Sequence, residues 1–273
     1  MAQDRIVETF QRLLKQKETA LIPYLTVGVP DMDTTLELVP ELAKAGAHII
    51  ELGVPFSDPL ADGATIQKAN LRALSQGVTL RGCLDLCSKL RNKGVEVPLI
   101  LMGYYNPILT IGIEKYAKLA AEAGIDGTIV PDLPPEECGP LREASLAQGL
   151  HIIPLLAPTS TEERIAKAAA IATGFVYCVS LTGVTGARDQ VPPGVFTLVK
   201  RVRKHTKLPI AIGFGLSRRD HIVVVGEHAE AAVVGSALVN IIDSAPRNEV
   251  VVKARNFIAE LSSSIPSVTR GDV

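Results

Sequence analysis

The chain has 273 residues, 47% hydrophobic and 21% charged, with a formal net charge of −1 at pH 7. Near-neutrality without a basic stripe or tail argues against nucleic-acid and membrane-surface partners, and the lack of tryptophan with only 4% aromatics argues against a base-stacking platform. No apolar stretch approaches the ~18 residues a membrane span needs. Met1-Ala2-Gln3-Asp4-Arg5 lacks the basic start and apolar run of a secretory signal, so a cytoplasmic location is expected.

Ile6, Phe10, Leu13 and Leu14 recur at helical spacing and predict a helix over Asp4–Lys15, placed to plug the bottom of a barrel. Ala20–Thr26 then reads as a buried strand, followed by a helix that Asp33 caps and Gly46 stops. The same grammar recurs. Strands are expected at His48–Leu52, Pro98–Met102, Gly127–Val130, His151–Leu156, Gly174–Val179, Pro209–Ile212 and Ala231–Val234.

Between them, helical patterns cover Ile66–Ser75, Leu80–Lys93, Ile113–Glu122, a segment ending at Gln148, one capped by Thr159 or Ser160, Val195–Lys204, and one starting at Ser217. A short helical segment follows Gly235-Ser236, and a last helix covers Glu249–Ser262. Tyr104-Tyr105-Asn106-Pro107 reads as loop, and the tail 263–273 as frayed.

Eight short strands alternating strictly with helices imply α/β architecture with a parallel sheet. The count of eight favours a single (β/α)8 TIM barrel with an extra N-terminal helix and a short extra helix at a phosphate site. An open doubly wound sheet would want a Gly-rich loop after the first strand. Here the Gly-rich loops follow the last three strands instead, and no linker or composition break divides residues 1–273.

Those loops are Gly183-Val184-Thr185-Gly186, Gly213-Phe214-Gly215 and Gly235-Ser236. Barrels bind phosphate at this corner through backbone N–H groups and a helix N-terminus. The bland alternative is that each glycine is only a turn residue. No Gly-Lys-Ser/Thr triplet supports a nucleotide P-loop.

A second feature is the stretch Glu51-Leu52-Gly53-Val54-Pro55-Phe56-Ser57-Asp58-Pro59-Leu60-Ala61-Asp62-Gly63. A carboxylate closing an apolar strand is costly unless paired or functional. Desolvation should raise the Glu51 pKa and suit it to proton transfer near neutrality. Asp62, on a more exposed loop, should stay ionised, giving two carboxylates in unlike environments. Against this, Glu51 could make only a structural hydrogen bond and Asp62 could cap the helix near Ile66. Asp58 reads as a turn or contact residue. Asp132 is balanced between an Asx turn and an interface role.

The five histidines form no ligand-spaced cluster, so no metal is expected, and the four cysteines read as buried free thiols. No predicted strand ends in lysine, which disfavours Schiff-base chemistry.

With these motifs in place, the chain resembles the α subunit of tryptophan synthase along nearly its whole length. The resemblance rests on Ala20–Thr26, Glu51–Gly63, Leu101–Pro107, Pro131–Glu137, Gly183–Gly186, Gly213–Ser217 and Gly235-Ser236. It implies retro-aldol cleavage of indole-3-glycerol phosphate to indole and glyceraldehyde 3-phosphate, with Glu51 as the catalytic acid and base and Asp62 as its partner. It further implies phosphate binding by Gly186, Gly215, Gly235 and Ser236. Tyr24, Tyr104, Tyr177 and Phe214 match an indole pocket, and Thr185 a contact to Asp62 on loop closure.

The resemblance also implies an α2β2 complex with a β subunit that carries pyridoxal phosphate, with no cofactor in this chain. Asp58, Asn106 and Pro134 match segments facing that partner. Ala64 and Val29 depart from the common pattern. A stand-alone indole-releasing lyase, a weakly active regulatory subunit and a phosphate-binding isomerase are the competing readings.

Overall fold

Asp4 accepts a hydrogen bond from the Val7 N–H at 3.0 Å and so starts helix α1 (Arg5–Gln16), which ends where Lys17 turns left-handed. The structure, a computed structural model, describes residues 4–179, 192–213 and 215–262. The expected tail 263–273 and the loop 180–191 therefore lie outside the described residues.

After α1 the chain runs β1 (Ala20–Thr26), α2 (Met32–Lys44), β2 (Ile50–Gly53), α3 (Ala64–Ser75), α4 (Leu80–Asn92), β3 (Leu99–Met102), α5 (Tyr105–Ile111), α6 (Ile113–Glu122), β4 (Gly127–Ile129) and α7 (Gly139–Ala147). It continues with β5 (His151–Ile152), β6 (Leu155–Leu156), α8 (Glu162–Ile171), β7 (Val176–Val179), α9 (Pro193–Arg203), β8 (Ile210–Gly213), α10 (Arg219–Gly226), β9 (Ala231–Val234), α11 (Ser236–Ser244) and α12 (Val250–Ser262).

Every strand pair is parallel, in the order β5-β4-β3-β2-β1-β9-β8-β7-β6. The two ends of that order are halves of one stretch, His151–Leu156. Pro154 has no N–H to donate, and the ladder changes partner there. The Ile153 N–H still reaches Thr128 O, at 3.1 Å, whereas Pro154 O accepts from the Tyr177 N–H, also at 3.1 Å. The fifth strand is thus split, joins both neighbours, and closes the expected α/β barrel.

Side chains along each strand alternate between two apolar layers. Ala20, Ile22, Ile49, Ile100, Ile129, Ile153, Phe175, Ala211, Ala231 and Val233 fill the inside. Ile6, Phe10 and Leu13 of α1 pack onto the same cluster, with the Phe10 and Phe175 rings 5.7 Å apart. The N-terminal helix therefore plugs the bottom. The larger cluster, including Leu21, Leu25, Leu38, Leu52 and Leu101, lies between strands and helices.

A device repeats at the bottom rim. The first N–H groups of a strand lack ladder partners there, and a side chain just before the next strand accepts them. Asp126 accepts from the Leu99 N–H at 2.8 Å, Glu230 from the Ile210 N–H at 2.6 Å, His48 from the Leu21 N–H at 3.0 Å, and Thr173 from the Ile152 N–H at 2.9 Å. Arg91 and Arg5 neutralise Asp126, and Arg203 neutralises Glu230.

Several local expectations are corrected. Asp31, not Asp33, caps α2 by accepting from the Thr34 N–H at 2.8 Å. Thr161, not Thr159 or Ser160, caps α8. Helix α10 starts at Arg219, because the Ser217 N–H is turned onto His221 Nδ1 at 3.3 Å. The segment read as loop around Asn106-Pro107 is helix α5. Pro107 sits in its first turn, where no intrahelical N–H is needed, and Asp132 accepts the Tyr105 N–H at 2.9 Å. Asp132 is therefore a helix-end acceptor rather than an Asx turn.

Candidate active site

Glu51 shares the inward phase of Ile49 and sits beside Tyr24 of β1 and Ile100 of β3 in the ladder register. It is only 2% exposed. Burial first, and the nearby charge of Asp62 second, push its pKa up to about 8. No donor among the described residues holds its carboxylate, so the neutral acid is the resting form near pH 7.

Asp62 stands at the far end of the loop after β2. It is not the cap of α3: Gly63 occupies that position with no side-chain hydrogen bond. Instead the Asp62 carboxylate accepts from the Tyr104 hydroxyl and from Asn70 Nδ2, the latter at 3.3 Å. Its exposure is lower than the sequence implied, and burial lifts its pKa to about 6, with those two hydrogen bonds pulling the other way. The expected division survives in reduced form. Glu51 is neutral and Asp62 largely ionised near pH 7, but Asp62 is perturbed too.

Tyrosines wall the space between the two acids. Tyr24 and Tyr177 are buried, and both hydroxyls feel Glu51 and Asp62, which together with burial drives their pKa values up. The Tyr24 hydroxyl lies 3.4 Å from Thr26 Oγ1. Each ring lies across a glycine at a strand end. A Cβ on Gly53 would stand 2.1 Å from the Tyr24 hydroxyl oxygen, and one on Gly213 would stand 2.3 Å from that of Tyr177. Tyr104 stacks on Phe56, with centroids 4.9 Å apart, and its hydroxyl also accepts the Ala61 N–H at 3.0 Å.

Gly235 follows β9 and faces the Tyr24 ring, where an added Cβ would come within 3.7 Å. Helix α11 begins at the next residue, Ser236, with no side chain capping its first turn. Its N–H groups are thus available to an anion. Gly215 follows β8 with φ 46°, a left-handed conformation that favours glycine. Gly186, Thr185 and Phe214 lie outside the described residues.

Asp58 and Asn106 are exposed and Pro134 is half-buried, all on loops or helix starts at the strand C-terminal rim of β2, β3 and β4. Leu60 and Leu109, large exposed hydrophobics at 94% and 49%, lie on the same two segments as Asp58 and Asn106.

Sequence reasoning passed over Asn70, and took Thr26, Gly53 and Gly213 only as parts of a strand, the Glu51–Gly63 stretch and a glycine loop, without their contacts to the tyrosines. Asn70 had a signal, being an amide at helical spacing on the apolar face with Ile66 and Ala73. Among the described residues no cluster of three or more His, Cys, Asp or Glu forms a metal-binding group, and no helix is long and apolar enough to cross a membrane.

The sequence model described as "Tryptophan synthase alpha chain" matches residues 10–265. The tryptophan synthase alpha chain of Roseiflexus sp. (strain RS-1) is 51% identical over 94% of this chain and 98% of its own. That of Chloroflexus aggregans is 49% identical over 97% and 99%. Among solved structures, Mycobacterium tuberculosis tryptophan synthase superposes with a TM-score of 0.89 at 35% identity, covering 96% of this chain and 98% of that one. A tryptophan synthase complex from Pyrococcus furiosus gives 0.82 at 38% identity over 89% and 97%. By sequence over nearly its full length and by fold, the chain belongs to the tryptophan synthase alpha chain family.

Proposed function

We propose that this protein cleaves indole-3-glycerol phosphate to indole and glyceraldehyde 3-phosphate, as a carbon–carbon lyase, with Glu51 and Asp62 as its catalytic pair. The observation that carries the reading is the pair itself: two carboxylates of unlike basicity in a tyrosine-walled barrel mouth. Direct scission of the bond to indole C3 would expel a carbanion. Glu51, neutral near pH 7, protonates C3 and turns the ring into a cationic electron sink. The resulting Glu51 carboxylate takes the proton of the side-chain hydroxyl. The carbon–carbon bond then breaks, its electrons neutralise the ring, and the glycerol carbon becomes the aldehyde. Asp62, ionised, accepts from the indole N–H and offsets the positive charge as it develops.

Tyr24, Tyr104, Tyr177 and Phe214 flank the indole, and Gly186, Gly215, Gly235 and Ser236 hold the phosphate. Thr185 meets Asp62 when its loop closes over the site and excludes water. The chain acts as a single cytoplasmic domain without a cofactor of its own. Its partner is a β subunit carrying pyridoxal phosphate in an α2β2 assembly, which Asp58, Asn106 and Pro134 face. The exposed Leu60 and Leu109 beside Asp58 and Asn106 support that surface as the docking face.

Indole release from indole-3-glycerol phosphate tests the assignment. Glu51→Gln and Asp62→Asn should each lower kcat by about 10²- to 10⁴-fold. Near-normal turnover by either variant removes that residue from the mechanism, and no turnover by the unmodified protein, with or without a β subunit, removes the reaction.

A further inference from the structure

The pair above leaves open why Asp62 ionises at all, half-buried on a loop facing a buried glutamate. The answer lies on α3. Asn70 is 2% exposed, and its Nδ2 points at Asp62 Oδ2, 3.3 Å away. Its Oδ1 is buried without a hydrogen-bond partner. An unsatisfied buried amide oxygen is unfavourable, and a structural asparagine would normally use both ends. This one uses only the end that meets the carboxylate. Three residues earlier, Gln67 Nε2 donates to the Asp62 backbone carbonyl at 2.8 Å. The first two turns of α3 thus hold both the main chain and the carboxylate of Asp62.

The Tyr104 hydroxyl, on another element, accepts from the Ala61 N–H and donates to Asp62. The other titratable groups facing Asp62 are Glu51 of β2, Tyr24 of β1 and Tyr177 of β7. None of these three donates a hydrogen bond to it among the described residues.

We infer that Asn70 is a positioning residue for the cleavage reaction: its amide fixes the Asp62 carboxylate toward the substrate nitrogen and keeps it ionised before the substrate arrives. The inference rests on the catalytic assignment of Asp62. In geometric terms, the Asn70 amide holds Asp62 Oδ2 and leaves the carboxylate's remaining acceptor positions to the indole N–H. Loss of the Asn70 donor leaves Asp62 beside Glu51 with less support for its charge, so the proton is held to higher pH.

The test is the pH profile of kcat/KM for indole release by Asn70→Leu, run beside Asp62→Asn at one pH. The expected result is an acidic limb moved up by about one pH unit. kcat at pH 7 should fall about tenfold, with KM changed less, because the Asp62 contact strengthens in the transition state. Asn70→Ala, which removes the donor and adds neither bulk nor charge, must move the limb in the same direction and serves if Asn70→Leu does not fold. A limb that stays in place in either folded variant overturns the positioning role. Full turnover by Asp62→Asn overturns the catalytic assignment instead, so the two failures are distinguishable.

Discussion

A carboxyl kept neutral by burial lowers the stability of the fold once the unfolded chain ionises. In Glu51 the folded pKa is about 8 against an ordinary 4.5. Below about pH 4.5 the group is protonated in both states and stability from this source is complete. Between about 4.5 and 8 only the unfolded chain releases the proton, so stability falls, by about 1.4 kcal/mol per pH unit at most. Above about 8 the loss is constant. Glu51→Gln removes the term. Its melting temperature should exceed that of the unmodified protein by a margin that grows from pH 5 to 8 and then levels. A margin independent of pH in a melting series would contradict the buried neutral acid. The same two groups shape catalysis in the proposed mechanism, which needs Glu51 protonated and Asp62 ionised. The profile of kcat/KM should be a bell with apparent limbs near 6 and 8, which belong to the coupled pair rather than to either residue alone.

At the scale of the element, the site depends on strands that end in glycine. Gly53 closes β2 and Gly213 closes β8, and each leaves room for a tyrosine ring from elsewhere in the barrel. The Gly53→Ala methyl would overlap the Tyr24 ring as well as its hydroxyl, with carbons at 2.6 and 2.8 Å. The ring has to move out of the pocket wall. Gly53→Ala should therefore destabilise the fold by about 1–3 kcal/mol in denaturant unfolding and raise KM. Adding Tyr24→Ala should recover most of the stability and none of the KM, and simple additivity of the two changes would sink the clash.

Gly53 also marks what the sequence could and could not disclose. The strand and helix alternation was legible because buried parallel strands read as apolar runs between Gly and Pro punctuation. Strand β1 and helix α6 have the bounds their patterns predicted. Glu51 stood out as a charge at the end of such a run. Gly53 did not, because its partner Tyr24 comes from the neighbouring strand β1 and spacing along one strand does not record contacts between strands. Asn70 showed as an amide on an apolar helix face, but nothing in the spacing named Asp62, eight residues before it, as its partner. Helix α5 was missed for a related reason: its N-terminal acceptor, Asp132, lies 27 residues away.

The whole molecule has a closed end built for rigidity and an open end built for partners. At the closed end, Asp126 gathers Arg5 of α1, Arg91 of α4 and the Leu99 N–H of β3. Asp126→Ala leaves two partly buried guanidinium groups uncompensated and should lower stability by about 3–5 kcal/mol without changing KM, as unfolding and turnover measurements can establish.

At the open end, helix α5 connects the proposed docking face to the proposed chemistry. Leu109 is 49% exposed on it, while Tyr104, the residue before its first turn, holds the Asp62 carboxylate. A β subunit that packs on α5 presses on the element that positions one of the two acids, so partner binding and turnover should be linked. Leu109→Asp places a charge in the apolar part of that face while leaving every residue of the site in place. Basal indole release should stay within about twofold. The β subunit concentration needed for half-maximal activation should rise about tenfold or more, the usual cost of losing a buried apolar anchor. Titrating the β subunit into an indole-release assay reads both numbers. Unchanged activation by Leu109→Asp would show that the partner docks elsewhere on the barrel, whereas tight binding with lost activation would place α5 in the transmission of the signal rather than in the contact.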